Sequence, residues 1–317
     1  MTNAPRDERP DLSRPLGGLS PGEWRDAVDA IGEQHGYYLP LGPDHAALFV
    51  DAGPRLLVTF EEVDTVRRRP GARPVGFDMV ETEGWSLLTI LAEGRTFYRD
   101  PALTWFFDRQ VDDGFFEDFD QVLFFGEGMG GYGAAAYSVT APAANVLLMR
   151  PVASLDPAIA AWDRRDMAAR GRDFSSRYGY APEMLDAASA AWVIHDPLNA
   201  PDAMHATLFR RPNVTVLRAP LTGAKLGALA DLMEITQPLL LAAMEGTLDR
   251  TEWGRLWRRR RGSVVYPRQL LRRAEALGRP DLVARIVRFG MTTRDAALYE
   301  ERARALGLNV VRLRERM

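Results

Sequence analysis

The sequence predicts an α/β fold: a mainly parallel sheet with helices on both faces, followed by a C-terminal helical extension. Short apolar runs alternate with helical patterns up to about residue 225, which is typical of parallel strands joined by helices. One of these runs ends in a burst of glycines that leads into a helix of small residues. Beyond residue 225 only helical patterns follow, so the sheet is expected to end there.

The N-terminal elements begin with a helix at 20–36. Ser20 is its predicted N-cap, Pro21 takes the first helical position and Glu23 completes a capping box. The turn at 51–54 is expected to join two apolar runs into a strand pair. These two runs lie at 45–50 and 55–60. A further buried strand is predicted at 85–91, and a helix at 102–116.

The alternation continues on both sides of the glycines. A strand at 121–125 precedes the glycine turn, and a helix runs from the turn to about residue 138. Further strands are predicted at 145–151, 190–196 and 213–219. A mostly helical segment at 156–190 and a helix at 201–209 are predicted between them. The segment 268–290 resembles a helical hairpin of the solenoid type. The chain therefore divides into a disordered tail at 1–20, an α/β domain at 21–245 and a helical extension at 246–317.

The composition excludes several classes of function. The chain has 317 residues, 46% of them hydrophobic, and a net charge of −3, which gives no general attraction to nucleic acid or acidic membranes. It has no cysteine, so disulfides, thiolate metal sites and a cysteine nucleophile are ruled out. The polar, proline-rich N-terminus has no secretory signal, and no apolar run approaches the roughly 20 residues of a membrane span. We expect a cytoplasmic protein.

Known motifs for metal or P-loop chemistry are missing, and we expect no cofactor.

Three charged segments have ordinary interpretations. The arginines at 67–74 indicate a surface loop, the acidic residues at 111–120 a connector, and the basic cluster at 255–262 a solvated or interface helix face.

The glycine turn at 126–131 fits two different patterns. The letters GEGMG match G-x-S-x-G with the serine replaced by Gly128. Gly126, Gly128 and Gly131 also match G-x-G-x-x-G, the loop that cradles a dinucleotide phosphate. The first pattern is a hydrolase elbow without its nucleophile, and the second is a nucleotide site.

The wider segment FFGEGMGGYGAAAYS resembles the G-x-S-M-G-G-Y elbow of bacterial α/β-hydrolase-like proteins, some of which come from polysaccharide-related gene families. The resemblance extends over roughly residues 45–225. It implies that Gly128 lies on a strained turn with positive φ. It also implies that the backbone N–H groups of Met129 and Gly130 open a helix where a negative group binds favourably.

The same resemblance points to the other members of a catalytic triad. The acid would be Asp196, although an Asp-Pro strand exit explains this residue equally well. The histidine would lie after the last strand, where the chain has Ala224 and Lys225 instead. Two histidines remain near the strand ends: His195 is expected on the opposite face from Asp196, and His205 on the following helix. No nucleophile and base can therefore be paired.

These observations predict a binding or regulatory pseudoenzyme with no hydrolytic activity. Asp196 would be the residual triad acid, and the ligand would be a small anion. A protein partner or a second copy of the chain would bind through 246–317. The predicted ligand pocket consists of Phe60, Glu61, Glu127, Gly128, Met129, Gly130, Asp196 and Lys225, the last from the loop at 222–225.

The alternative is a nucleotide-binding oxidoreductase or transferase that uses the loop 126–131. A dinucleotide site should have an acidic residue at the end of the next strand, where this chain has Arg150, which would suit the 2′-phosphate of NADP. The turn also follows at least three predicted strands instead of the first. Some similar proteins are labelled phosphoadenosine phosphosulfate reductase, but the SGGKDS-type loop and redox cysteine of that family are missing here.

Overall fold

The structure is a computed structural model that describes residues 9–293 and 295–307. In these residues, eight strands form one sheet. The strands are β1 (Gly36–Leu41), β2 (His45–Val50), β3 (Arg55–Glu62), β4 (Ser86–Ala92), β5 (Gln121–Glu127), β6 (Asn145–Met149), β7 (Ala190–His195) and β8 (Val214–Arg218).

Helices connect and follow these strands. The α-helices are α1 (Pro21–His35), α2 (Val63–Arg68), α3 (Phe77–Glu83), α4 (Pro101–Asp112), α5 (Met129–Tyr137), α6 (Pro157–Ala160), α7 (Ala181–Met184), α8 (Ala200–Leu208), α9 (Leu226–Leu232), α10 (Thr236–Met244), α11 (Arg250–Trp257), α12 (Val265–Ala276), α13 (Pro280–Gly290) and α14 (Ala296–Ala305). Short 3₁₀ turns lie at Pro70–Ala72, Phe115–Asp118, Ser138–Thr140, Met167–Gly171, Leu185–Ala187, Gly223–Lys225 and Arg258–Gly262.

The strand order is β1-β2-β4-β3-β5-β6-β7-β8, the order of the α/β-hydrolase fold. β2 is antiparallel to both of its neighbours, β1 and β4. The six strands β3 to β8 are all parallel to one another. Phe60 on β3 is paired with Gly126 on β5, which is in turn paired with Leu148 on β6. The carboxyl ends of these three strands therefore meet at one edge, where open α/β sheets place their sites.

The predicted fold class is confirmed, since apolar layers cover both faces of the sheet. One layer contains α1 and α9–α11, with Trp24 and Trp253 among its buried side chains. The other contains α4 and α5, with Phe107 and Tyr137. The capping box of α1 is confirmed as well: the Ser20 hydroxyl accepts the N–H of Glu23 at 3.3 Å, and the Glu23 carboxylate accepts the N–H of Ser20 at 2.9 Å.

The predicted pairing of 45–50 with 55–60 is wrong. β4 lies between these strands, because Leu87 is paired with Val50 on one side and with Leu57 on the other. The turn at 51–54 thus passes over the end of a third strand, and local sequence does not reveal which strand fills a gap. The predictions also miss β1, whose Pro40 is tolerated because β1 is an edge strand.

The prediction of a mostly helical segment at 156–190 is also wrong. Only α6, α7 and short 3₁₀ turns form there, and the rest is irregular. Arginines from the loop after β4 hold this excursion: Arg95 forms a two-pronged ion pair with Asp166, and Arg99 donates to the backbone carbonyls of Asp173 and Arg177. Hydrogen bonds from the loop after β4, and not local helix formation, thus fix the conformation of this segment.

The predicted N-terminal tail and the predicted helical extension both contribute side chains to a layer of the sheet. In the predicted tail, residues 1–8 lie outside the described residues, whereas Leu12 and Leu16 are buried in the layer that contains α1. In the predicted extension, Trp253 and Trp257 also belong to that layer, and α12–α14 enclose a separate small cluster around Tyr299. Val265 and Tyr266 still pack on the sheet layer, so the two apolar clusters divide within the first turn of α12.

No single described helix has the length and hydropathy of a membrane span. The helical segments Gly223–Leu232 and Thr236–Met244 meet the test only as a pair, and they bend by 93° at their junction.

Candidate functional site

The glycine turn has the conformation that the resemblance implies. Gly128 lies between β5 and α5 with φ +59° and ψ −114°, a conformation that L side chains rarely adopt. Its N–H donates to the carbonyl of Met149 at 2.8 Å, and its carbonyl accepts from the N–H of Tyr132 at 3.2 Å. A Cβ at Gly128 would meet no heavy atom within 4 Å. A side chain at this position would therefore extend into open space.

The flanking glycines are small for a different reason. A Cβ at Gly126 would lie 2.1 Å from the carbonyl oxygen of Gly130, and one at Gly130 would lie 2.1 Å from that of Phe60. At Gly131 it would lie 3.0 Å from Cα of Pro151. Close approach of α5 to β3, β5 and the end of β6 thus accounts for these glycines, without any contact to a phosphate.

A pocket of about 220 Å³ lies over Gly128 at the carboxyl ends of β3, β5 and β6. Phe60, Gly128, Met129 and Gly130 form part of its wall. Among the described residues that line it there is no histidine and no serine. Its charged lining consists of the carboxylates of Glu61, Glu62, Glu127 and Asp231 and the guanidinium groups of Arg69, Arg95 and Arg150.

Glu61, which is buried, forms an ion pair with the partly buried Arg69 on one side of this pocket. The second Glu61 oxygen accepts the N–H of Val75 at 3.1 Å and the hydroxyl of Thr59 at 3.2 Å. Burial lowers the pKa of Arg69, but the adjacent Glu61 carboxylate outweighs this effect and leaves that pKa above its usual value. The prediction that 67–74 is an ordinary surface loop fails here, because Arg69 reaches inward to the end of β3.

Arg150 forms the opposite side of the pocket. It follows β6 with φ +49°, an uncommon conformation for a residue other than glycine. Its guanidinium donates to Glu127 Oε1 at 3.3 Å, to Asp202 Oδ2 at 3.1 Å and to the carbonyl of Ala224 at 3.1 Å. Arg150 therefore joins the glycine turn to α8 and to the loop after β8.

The Glu127 carboxylate has an environment that disfavours its charge. Burial raises its pKa, and Arg150 together with the N–H of Gly227 at 3.0 Å offsets part of that increase. The side chain keeps 25% of its surface exposed at the pocket. The Glu127 carboxylate is therefore accessible to a ligand in the pocket.

A buried chain of charges runs from Arg150 away from the pocket. Asp202 pairs with both Arg150 and Arg165, and Arg165 pairs with Asp163. Burial alone would raise the pKa of Asp163, but hydrogen bonds from His205 and Arg165 hold it well below its usual range. The chain ends at His205, which is fully buried.

His205 is occupied at both ring nitrogens. Nε2 lies 2.8 Å from Asp163 Oδ2, and Nδ1 accepts the N–H of Ala153 at 3.2 Å. These partners assign the ring proton to Nε2. His205 does not line the pocket, so its role in this structure is to anchor the segment after β6.

Asp196 and Lys225 do not line the pocket either. Asp196 is buried at the end of β7, where its carboxylate accepts the N–H of Leu198 at 2.9 Å and that of Gly223 at 2.8 Å. Lys225 is exposed, and Ala224 alone of the two lines the pocket. The other predicted ligand residues, Phe60, Glu61, Glu127, Gly128, Met129 and Gly130, do come together around it.

The remaining candidate catalytic side chains lie elsewhere. His195 is buried at the end of β7, its Nδ1 has no partner in the described residues, and burial lowers its pKa. Ser138 is buried at the end of α5, and its hydroxyl donates to the carbonyl of Ala135 at 2.9 Å. The described residues contain no cluster of three or more histidine, aspartate or glutamate side chains that could hold a metal ion.

Sequence reasoning missed the guanidinium groups of Arg69 and Arg95 as pocket residues. Arg95 comes from the loop after β4, pairs with Asp166 and has a pKa above its usual value, because these ion pairs outweigh the effect of burial. Neither residue belongs to a motif. The only local signal is the arginine-rich composition of 67–74, which fits an exposed loop equally well.

Chemically, the pocket offers polar recognition. The first N–H groups of a helix lack intrahelical acceptors, and those of Met129 and Gly130 begin α5 at the pocket wall. A carboxylate or carbonyl oxygen suits this position. An activated nucleophile needs a base within hydrogen-bond reach, and no described lining residue forms a serine–histidine or cysteine–histidine pair.

No family model and no curated protein matches this chain significantly. Several solved structures share its topology in part. The capsule O-acetyltransferase of Neisseria meningitidis serogroup A is 15% identical, with 65% of this chain and 94% of that chain covered and a TM-score of 0.43. Carboxyl esterase 2 from Tuber melanosporum is 14% identical, with 66% and 82% covered and a TM-score of 0.43. Est1E from Butyrivibrio proteoclasticus is 10% identical, with 66% and 98% covered and a TM-score of 0.42.

Proposed function

We propose that this chain is an α/β-hydrolase-like protein with a degenerate triad, and that it binds a small polar ligand without hydrolysing it. The observation that carries this proposal is the turn at Gly128. Its backbone has the strained conformation of a nucleophile elbow, yet the space in front of it holds no side chain. A ligand atom can occupy the space that a nucleophile would fill.

The rest of the site supports binding over catalysis. Asp196 bonds to the backbone of the loop in which the triad histidine would lie, and His205 bonds to Asp163 and Ala153. Loss of one triad member costs on the order of 10⁴-fold in rate, and here two are replaced.

The pocket favours a small ligand with an acceptor group at one end. Its volume of about 220 Å³ is below the ~300–1,000 Å³ of typical drug-sized ligand pockets. The guanidinium groups of Arg69, Arg95 and Arg150 are each paired with a carboxylate. We therefore assign the ligand's carboxylate or carbonyl oxygen to the N–H groups at the start of α5, where a small anion is expected from the sequence.

The alternative of a nucleotide-binding oxidoreductase or transferase has less support. Arg150, which would meet the 2′-phosphate of NADP, is engaged with Glu127, Asp202 and the carbonyl of Ala224. Gly131 is explained by its packing against Pro151. These contacts favour the binding of a smaller molecule.

The test is a thermal-shift screen of the purified chain with short carboxylates, phosphate, sulfate, acyl-CoAs and nucleotides. A ligand at 100 times its Kd should add about 2.7 kcal/mol, a shift of several degrees. Gly128→Val fills the open space and should abolish the shift. Gly278→Val is the matched control, because Gly278 also has positive φ and open surroundings but lies in the helical extension.

Stabilisation by a small carboxylate in the wild-type chain and in Gly278→Val, and its loss in Gly128→Val, supports the proposal. Stabilisation by a nucleotide class alone, with the same dependence on Gly128, favours the alternative. A thermal shift that Gly128→Val leaves unchanged would show that the ligand does not bind in this pocket. If the valine variant fails to fold, Gly128→Ala provides a smaller obstruction.

A further inference from the structure

A second groove, remote from the glycine turn, lies along the last strand of the sheet. It measures about 780 Å³, and α8, β8 and α11 contribute its walls. Val214 and Val216 of β8 form its apolar side, and Trp253 of α11 lies at one end. The groove is independent of the ligand pocket and shares no lining residue with it.

The charge of this groove is entirely positive. Arg210, Arg218 and Arg250 line it, and no aspartate or glutamate is among its described lining residues. In the described part of the chain, none of these three guanidinium groups has an ion pair or a side-chain hydrogen bond. The three arginines of the ligand pocket are all paired. The three arginines are exposed, so this unpaired cationic groove is complementary to an anionic partner.

The backbone of β8 offers hydrogen bonds to the same groove. β8 is the terminal strand of the sheet and pairs only with β7. The carbonyl of Asn213 and the N–H of Ala219 bond toward β7, so the backbone groups of Val214, Val216 and Arg218 face the other way. The indole of Trp253 donates to the carbonyl of Arg218 at 3.1 Å, and the N–H of Val214 donates to the carbonyl of Arg211 at 3.1 Å. Between these two bonds, no described strand pairs with Val216 on this side. An extended segment can pair with this free edge.

A buried polar atom lies beside these groups. His195 lines the groove and is only 5% exposed, and its Nδ1 has no hydrogen-bond partner in the described residues. Buried polar groups are normally satisfied. A segment bound in the groove can supply a hydrogen-bonding group to this side chain.

We propose that this groove binds an acidic peptide segment of another protein in extended conformation, as an added strand on β8. The three arginines meet its carboxylates, and the outward N–H and carbonyl groups of Val216 pair with its backbone. A second copy that pairs through the same groove is a poor occupant, because it would place the same arginines against one another. A nucleic acid would satisfy the arginines but not the backbone edge.

The experiment measures fluorescence anisotropy of a labelled ten-residue peptide of alternating glutamate and valine, added to the full-length chain at low salt. The double variant R210E/R250E should weaken binding about tenfold or more, and R285E should leave it unchanged. Arg285 is an exposed residue of α13 outside the groove and is the matched control. Arg210→Gln with Arg250→Gln is the milder substitute if the charge reversal unfolds the chain.

Backbone pairing is tested with two further peptides, N-methylated at every glutamate or at every valine. Only the nitrogens on one side of an added strand donate to β8, so one peptide should bind and the other should not. Loss of binding with one methylation pattern and with R210E/R250E supports the proposal. Equal binding of both methylated peptides overturns it. Stronger binding of a single-stranded oligonucleotide, or a peptide-independent dimer that R210E/R250E dissolves, overturns it in favour of those occupants.

Discussion

The carboxylate of Asp196 accepts the backbone N–H of Gly223 at 2.8 Å. Its other oxygen accepts the N–H of Leu198 at 2.9 Å, and the side chain is buried. In a working triad the acid orients an imidazole. Here the candidate acid orients the loop after β8 directly, and this loop brings Ala224 to the pocket. The interaction is structural in this chain.

Asp196→Asn should therefore destabilise the fold. The amide replaces one acceptor oxygen with a donor and leaves a buried N–H unsatisfied, at a cost of about 1–3 kcal/mol. Urea denaturation measures the free energy of unfolding. The control Asp186→Asn affects an exposed partner of Arg211 and should change it by less than about 0.5 kcal/mol. Equal effects of the two variants would contradict the structural role of Asp196.

Substitution of Arg150 should lower the free energy of unfolding more than substitution of an exposed surface arginine does. Arg150→Met leaves Glu127 and the buried Asp202 without one of their cations, at a cost on the order of 3 kcal/mol. Arg109→Ala breaks an exposed pair with Asp113 and should cost no more than about 0.5 kcal/mol. Denaturant midpoints of the two variants make the comparison, and similar losses would count against a buried network.

The raised pKa of Glu127 predicts how the free energy of unfolding depends on pH. Its folded pKa lies above that of the unfolded chain, so its contribution to stability is fully present below about pH 4.5 and is lost as the pH rises through the folded value. The free energy of unfolding of Glu127→Gln minus that of wild type should therefore increase between pH 4 and pH 7, because only the wild type loses stability as Glu127 ionises. Urea titrations at both pH values measure this difference. A relative stability that stays constant, or that changes in the opposite direction, would refute the burial argument.

The division of the apolar clusters predicts where the chain can be truncated. Residues 1–262 retain Trp253, Leu256 and Trp257, which are buried in a layer of the sheet. Residues 1–245 lose all three, and removal of a buried tryptophan costs about 3–5 kcal/mol. The longer fragment should remain soluble with a cooperative thermal transition, whereas the shorter should aggregate. A well-folded 1–245 fragment would instead favour the boundary predicted from sequence.

The sequence predicts the elbow well because its constraints are local. The glycines after an apolar strand resemble a nucleophile elbow, and this resemblance implies the positive φ that Gly128 has in the structure. The position of Asp196 at the end of β7 also follows from the order of strands along the chain. What Asp196 bonds to depends on a loop 27 residues away, which the local pattern does not specify.

The missed features all depend on distant contacts. Arg95 reaches the pocket because Asp166 holds its guanidinium, and Arg69 does so because Glu61 pairs with it. The place of β4 between β2 and β3 is likewise a choice of neighbours rather than of local conformation. The irregular segment at 156–190 carries helix-forming residues whose preference is overridden by its bonds to the loop after β4.

The central claim, a pocket that binds without hydrolysing, is tested most directly by the hydrolysis of p-nitrophenyl acetate by the wild-type chain and by Gly128→Val and Gly278→Val. We predict equal rates for all three proteins at equal concentration, because no residue at the turn acts as a nucleophile. A wild-type rate that is several-fold higher, retained in Gly278→Val and lost in Gly128→Val, would contradict the account and make the pocket a catalytic site.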